Sequence, residues 1–273
     1  MTARPDGKAQ AYDSLYHEFD SPLARQIRLE AYGEDIGQHS WVTGDELRAD
    51  IDRLDLLASS RLLDLGCGPG GPLTFMLRAV GCHGTGLEIS GPAVSFARSN
   101  AKSLGVDNLA TFREGDLSQA LPFGLRAFDA AMSLDVMPHL ADRAMVFGEV
   151  ARVLAPGGRF LVTDACVLTG SISDEEFALR SMHGRTHVVA PGHNEQLLER
   201  VGFRILHTDD RTPSVLRNAA GRHAARLAHR TEVEQVEGSP YFERYQRYLE
   251  TVIELSRRKA LSRMAYLAQS RGG

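Results

Sequence analysis

The stretch Leu62-Leu63-Asp64-Leu65-Gly66-Cys67-Gly68-Pro69-Gly70-Gly71 decides how this chain is read. An apolar strand runs straight into a glycine-rich turn, and a helical pattern follows over about Gly71–Val80. Glycines at such a turn let the backbone come within contact distance of a ligand, where any Cβ would block it. The amides that open the following helix then face that ligand. Glu88 closes the next strand, about 20 residues on, where an open α/β sheet hydrogen-bonds ribose hydroxyls. The first half of the chain is therefore expected to bind a nucleoside-containing cofactor.

Asp64 narrows the choice of cofactor. Gly66, Gly68 and Gly71 satisfy the dinucleotide spacing G-x-G-x-x-G, but Asp64 stands two residues before the first of them. A carboxylate there repels a pyrophosphate and suits a cationic amino group. S-adenosylmethionine carries an amino acid and a sulfonium and has no phosphate. The stretch resembles motif I of the class I S-adenosylmethionine-dependent methyltransferases, acid-x-Gly-x-Gly-x-Gly, with Asp64, Gly66, Gly68 and Gly70 at the motif positions. Four further segments follow in the family's order. Gly84–Ser90 resembles its second strand, Phe112–Leu117 its third strand and adenine turn, Phe128–Asp135 its fourth strand and exit, and Arg152–Phe160 the turn before its fifth. Together they span about residues 55–165. The resemblance implies S-adenosyl-L-methionine as cofactor. It implies Glu88 as ribose ligand with Ile89 beside it, Asp116 on the adenine amino group with Leu117 beside it, and Ser133 at the strand-four exit near the methyl.

Composition agrees. The apolar share of 43% is that of a globular chain with a full core. A formal charge of −4 argues against a nucleic-acid groove. Cys67, Cys82 and Cys166 form no C-x-x-C pair; read as reduced thiols they suit the cytoplasm. No apolar run has the length of a membrane span, and Met1–Asp6 lacks the apolar core of a signal peptide.

Strands alternate with helical patterns to about Asp164, which predicts a parallel sheet with helices on both faces. The expected fold class is α/β, a doubly wound seven-stranded mostly parallel sheet of the Rossmann-like methyltransferase type. It carries an N-terminal helical lid and a helical insertion before the last strand. The expected units are the lid at 1–57, the cofactor-binding core at 58–212, the insertion at 213–260 and the last strand within 261–273. The insertion is expected to cap the active site or to make a homodimer.

The chemistry asks little of the protein, because a sulfonium is already an activated leaving group. The protein has to hold a small-molecule methyl acceptor, an amine or a hydroxyl, in line and away from water. A base is needed only when the nucleophile arrives protonated. The strand-four exit supplies Asp135 and His139 as candidate catalytic residues. The structural alternative for His139 is a plain helix-start residue. Arg180 and Arg185, in the segment after strand five, are candidate anion-binding substrate contacts. His183 and His187 stand four apart, but Gly184 interrupts them, so no metal site is expected. The N-terminal residues Ala11–Ser14 and Ala31–Gln38 resemble the lid of the sarcosine/dimethylglycine N-methyltransferase group, with Gly37-Gln38 departing from that group's histidine-centred turn. Tyr12, Tyr16, Gln38 and Trp41 are the lid's candidate substrate contacts. The competing readings are an NAD(P)-binding oxidoreductase, which Asp64 and the lack of a Tyr-x-x-x-Lys pair disfavour, and a non-catalytic cofactor-binding subunit.

Overall fold

The computed structural model describes residues 13, 16, 18–182, 184 and 186–271. In chain order the elements are α1 (Pro22–Tyr32), α2 (Gly44–Leu54), β1 (Arg61–Leu65), α3 (Gly71–Val80), β2 (His83–Glu88), α4 (Gly91–Ser103), β3 (Ala110–Glu114) and β4 (Phe128–Leu134). After a short 3₁₀ turn at Met137–His139 come α5 (Arg143–Val153), β5 (Leu154–Leu168), α6 (Asp174–Arg180), α7 (His193–Arg200) and β6 (Phe203–Asp210). Three helices, α8 (Thr212–Ala228), α9 (Arg230–Glu237) and α10 (Ser239–Arg257), precede β7 (Leu261–Ser270).

The seven strands form one sheet in the order β3-β2-β1-β4-β5-β7-β6. β1 through β5 pair in parallel, and β7 runs antiparallel between β5 and β6. The expected fold class holds. The order reverses between β1 and β4, so a crevice opens at the carboxyl ends of those strands. Alternation along each strand feeds two cores. Leu62, Ala130, Met132 and Leu161 face one side with α2, α3 and α4. Leu63, Leu65, Ala131, Phe160 and Val162 face the other with α5 and α7. Side chains this deeply buried contribute about 1.5–3 kcal/mol each, which is what holds the crevice walls rigid.

The helix starts follow their sequence signals. Ser90 accepts from the Ala93 amide at the start of α4, and Ser173 with Glu176 closes a reciprocal capping box on α6. Two boundaries differ from expectation. β5 begins at Leu154, inside the Arg152–Phe160 stretch expected as the turn before it, because the Pro156-Gly157-Gly158 turn is absorbed as an irregularity in the strand pairing. The N-terminal stretch, read as helical to Leu57, contains a non-helical segment at 33–43 with Gly33 and Gly37 at positive φ. α9 lies within the segment expected as a helical insertion at 213–260, which the structure divides into three helices.

That 33–43 segment is bolted into the molecule. The Trp41 amide donates to Asp135 (3.0 Å), Asn218 donates to the Trp41 carbonyl (2.8 Å), and Arg222 donates to the His39 carbonyl (2.8 Å). α1 packs so closely on α8 that a Cβ on Gly221 would lie 2.4 Å from the Ala31 carbonyl. Trp41, Ala165, Val215, Ala219, Tyr248 and Leu249 form a third small core above the sheet. The helices before β7 thus roof the crevice together with the N-terminal segment.

Candidate active site

The crevice encloses a cavity of about 650 Å³, within the range of about 300–1,000 Å³ typical of small-molecule sites. One end is walled by the glycine turn and the ends of β2 and β3, with Asp64, Gly66, Gly68, Glu88, Ile89, Asp116 and Leu117. The other end is walled by the β4 exit and the roof, with Asp135, His139, Trp41, Arg180, Thr186, Arg222, Tyr245 and Tyr248. Tyr16 lies between roof and glycine turn: a Cβ on Gly68, whose φ is +52°, would stand 3.1 Å from its hydroxyl.

The first end is built around two buried acids. Asp64 is 2% exposed and Glu88 6% exposed. Glu88 accepts from the Gly68 amide (3.0 Å) and the Ser90 amide (3.0 Å), so it ties the glycine turn to the start of α4. Ser90 in turn donates to Asp13 of the N-terminal segment (2.7 Å). Burial, and then the charge of Glu88, push the Asp64 carboxyl up to about 8. Burial also pushes Glu88 up, against its backbone hydrogen bonds. Two carboxyls kept this close in a dry pocket are costly unless a cation joins them. Asp116 accepts from the Ser118 amide (2.8 Å) and hydroxyl (2.7 Å), which fixes the β3 exit as a turn.

These observations bear on S-adenosylmethionine, the cofactor that the sequence resemblance implies. The acids match its cationic amino acid and its ribose hydroxyls, and the glycine turn leaves the room that a Cβ would fill. The residues fit that group and do not fit a pyrophosphate.

The second end is built from cations and aromatic rings. Asp135, at φ +61° beyond β4, is an anchored carboxylate. It accepts from Arg263 Nε (2.8 Å), the Thr163 hydroxyl (2.8 Å) and the Trp41 amide (3.0 Å). Burial raises its pKa, but Arg263 and these hydrogen bonds outweigh burial and hold it below the usual carboxylate range. Arg263 also donates to Glu46 (2.7 Å), joining β7 to α2 beneath the site. His139 is neutral at pH 7: burial first, and the charge of Arg180 second, push its pKa down to about 4. Below it, Arg143 bridges Asp164 (2.5 Å), Asn194 (2.9 Å) and the His187 carbonyl (2.8 Å), which pins the 186–194 segment across the β5 exit.

Of the residues named from sequence, Asp64, Gly66, Gly68, Glu88, Ile89, Asp116, Leu117, Asp135, His139, Tyr16, Trp41 and Arg180 meet at this cavity. Three do not. Ser133 is buried and donates to the Leu65 carbonyl (3.0 Å), knitting β4 to β1. Gly70 faces away, where a Cβ would lie 2.9 Å from Ala97 and Phe112. Gln38 is fully buried and folds onto its own turn, accepting from the Ile36 amide (3.0 Å). Tyr12 and Arg185 lie outside the described residues. Cys67 lines the cavity, and all three cysteines are buried and free. No metal-binding cluster occurs among the described residues. Sequence reasoning missed Arg222, Tyr245, Tyr248, Thr186 and Arg263. For Arg263 a signal existed: it is the lone charge inside the last strand, Leu261–Ser270.

A family model described as "Methyltransferase domain" matches residues 57–202, and the chain belongs to that family. Among relatives, it is 36% identical over 125 residues to the methyltransferase GfsG of Streptomyces halstedii, covering 45% of this chain and 44% of that protein. It is 30% identical over 158 residues to a glycine/sarcosine/dimethylglycine N-methyltransferase of Actinopolyspora halophila, covering 58% of this chain and 28% of that one. The chain thus spans less than half the length of these curated relatives. Among solved structures, a putative sarcosine dimethylglycine methyltransferase from Galdieria sulphuraria superposes with a TM-score of 0.78 at 22% identity, covering 97% of this chain and 98% of that one. The [4+2]-cyclase SpnF superposes with a TM-score of 0.74 at 22% identity, covering 97% of both chains. These likenesses extend the shared fold over the roof helices as well as the core.

Proposed function

We propose that this protein transfers the methyl group of S-adenosylmethionine to a hydroxyl or amine of a small molecule. The observation that carries the reading is the polarity of the cavity, with Asp64 and Glu88 at one end and neutral His139 with Arg180 and Arg222 at the other. When bound, the cofactor supplies an electrophilic methyl on a sulfonium leaving group. Asp64 and the glycine turn hold its amino acid part, Glu88 its ribose, and Asp116 with Ile89 and Leu117 its adenine. Trp41, Tyr245 and Tyr248 keep water from the acceptor. His139 takes the acceptor's proton where the nucleophile is a hydroxyl, and Asp135 fixes the lid by holding the Trp41 amide.

In this reading residues 1–57 serve as lid, 58–212 with 261–273 as the binding core, and 213–260 as the cap. A homodimer through the exposed Leu227 and Val236 of the cap is part of the proposal, checked by sedimentation of wild type against Leu227→Lys. So is a cytoplasmic, reducing setting for the three free thiols. No helix among the described residues is long and apolar enough to cross a membrane.

Calorimetry with S-adenosylmethionine, S-adenosylhomocysteine and NAD tests the cofactor. Preference for NAD overturns the proposal. Formation of S-adenosylhomocysteine over a panel of hydroxyl and amine acceptors tests transfer. Tight cofactor binding with no product on any acceptor favours the non-catalytic subunit.

A further inference from the structure

The buried arginines of this protein sort into two groups. Arg28 pairs with Asp35, Arg143 with Asp164, Arg211 with Asp50, Arg226 with Glu237, and Arg263 with Asp135 and Glu46. The two arginines that line the cavity, Arg180 and Arg222, have no carboxylate partner among the described residues. Arg222 donates to the carbonyls of His39 and Ser40 and stacks on Tyr32 and Trp41, at 5.0 and 4.9 Å from the ring centres. Arg180, at the last residue of α6, stacks over the ring of Tyr248 at 5.8 Å and makes no side-chain hydrogen bond to a carboxylate among the described residues; Asp135 and Asp164 act on its charge only from beyond ion-pair distance. The sequence places no Asp or Glu anywhere between Glu176 and Glu195. The nearby acids are already taken: Asp135 by Arg263, Thr163 and Trp41, and Asp164 by Arg143 and Asn194.

A guanidinium in a half-buried pocket with no carboxylate at ion-pair distance leaves its donor fork open toward the cavity, and such groups are candidates for ligand contact. Arginine's planar fork fits the paired oxygens of a carboxylate or phosphate. We propose that Arg180, with Arg222 across Tyr248, forms an oxyanion subsite, so that the methyl acceptor carries a carboxylate or phosphate besides the atom that receives the methyl. The inference rests on the proposed methyl transfer for the word acceptor, but the subsite itself is a property of the two arginines.

The subsite also acts on His139. Arg180's charge is one of the two largest influences that disfavour the imidazolium. An oxyanion seated on Arg180 offsets that charge and makes His139 a better base when the acceptor is in place. An acceptor without the anion loses both its anchor and this assistance.

The test uses the full chain saturated with S-adenosylhomocysteine. Thermal unfolding is followed while inorganic phosphate, acetate or, as an ionic-strength control, chloride is added. Wild type is expected to gain stability saturably with phosphate or acetate and not with chloride; which of the two acts at lower concentration identifies the oxyanion. In Arg180→Gln the half-saturating concentration is expected to rise at least tenfold, with Arg180→Lys in between. Calorimetric affinity for S-adenosylhomocysteine is expected to change less than twofold in both variants. The His139 ring titration, followed by NMR, is expected to move upward with the oxyanion in wild type and without it in Arg180→Gln. No saturable oxyanion effect in wild type, or equal effects in wild type and Arg180→Gln, overturns the subsite. Failure of wild type to bind S-adenosylhomocysteine, with Arg180-dependent oxyanion binding intact, overturns the cofactor reading instead. A variant that fails to fold is recognised by circular dichroism, and Arg180→Lys then decides.

Discussion

Replacing Asp64 by Asn is expected to make the free protein more stable and its cofactor binding weaker. The Asp64 carboxyl has its pKa raised from 3.8 to about 8, first by burial and second by the neighbouring Glu88. Its folded value lies above its unfolded one. Stability is therefore complete below pH 3.8 and is lost as pH rises toward 8, because only the unfolded chain ionises freely in that window. At pH 7 the loss spans the 3.2 pH units above 3.8, at about 1.36 kcal/mol each, or on the order of 4 kcal/mol. Asn carries no such penalty. For a chain of this size 1 kcal/mol moves Tm by about 2 °C, so Asp64→Asn is expected to melt several degrees higher at pH 7–8 and level with wild type near pH 4. The same carboxylate is what a cationic amino group needs. S-adenosylmethionine is expected to bind the variant at least tenfold more weakly, about 1.4 kcal/mol. Wild-type affinity is expected to rise from pH 6 to 8 as Asp64 gives up its proton, more steeply than that of the variant. Calorimetry in two buffers of different ionisation enthalpy reads the released proton directly. A variant with wild-type Tm from pH 4 to 8 and wild-type affinity would show that Asp64 neither is strained nor meets the ligand.

Three further substitutions probe the rest of the site. Glu88→Ala removes the acceptor of the Gly68 and Ser90 amides; such charge-assisted bonds are worth about 1.5–3 kcal/mol each, so cofactor binding should become unmeasurable by calorimetry while circular dichroism stays that of wild type. Arg263→Met leaves the Asp135 carboxylate without its cation and Glu46 with only the longer contact to Arg211, a loss of about 3–5 kcal/mol seen as a lower Tm at pH 7. Because the folded pKa of Asp135 is depressed, wild type holds this stability above about pH 4 and loses it on acidification, so the gap between the two should close at low pH. His139→Ala should lower single-turnover methyl transfer more than it weakens cofactor binding, by about 10²–10⁴-fold when the acceptor is a hydroxyl and modestly when it is a neutral amine. An unchanged rate makes His139 structural. Its imidazole should titrate near 4 in the free protein, and with a folded pKa below 6.5 it makes the protein less stable as pH falls from 6.5 toward 4.

That the glycine turn, Asp64 and Glu88 come together was legible in the sequence because the signals are local. Leu62–Gly68 is a buried parallel strand and the turn it forces, and Glu88 follows from the length of one strand–helix–strand unit. Side-chain direction is not legible from such signals. Ser133 stands one position before the end of β4 and points into the β1–β4 contact. Gly70 carries the motif but serves α4 packing through Ala97 and Phe112. The acceptor end was less legible because it is assembled from distant segments. Trp41 meets Asn218 across 177 residues, and Asp135 meets Arg263 across 128. No period in the sequence ties those positions together, and the helices that carry Arg222, Tyr245 and Tyr248 read only as amphipathic.

That division bears on what fixes specificity. The glycine turn, Asp64 and Glu88 are set by strands that any sheet of this topology needs, so in the proposed function they would serve the half shared by every acceptor, the cofactor. The roof is set by long-range contacts between α1, α8 and α10, and it brings Arg222, Tyr245 and Tyr248 to the cavity, where the proposed acceptor would meet them. Asp135 belongs to both halves. It leaves β4 at φ +61°, is held by Arg263 from β7, and accepts the Trp41 amide from the N-terminal segment. Its hydrogen bonds hold the roof to the sheet, so in the proposed function His139, from the turn that follows, is the group at the β4 exit that would move a proton. A change at Asp135 should therefore disturb the roof first and proton transfer second. Asp135→Asn keeps the shape but weakens the hold on Arg263 and on the Trp41 amide. It is expected to raise KM for the acceptor at least as much as it lowers kcat, and a pure kcat loss at unchanged KM would return Asp135 to the chemistry.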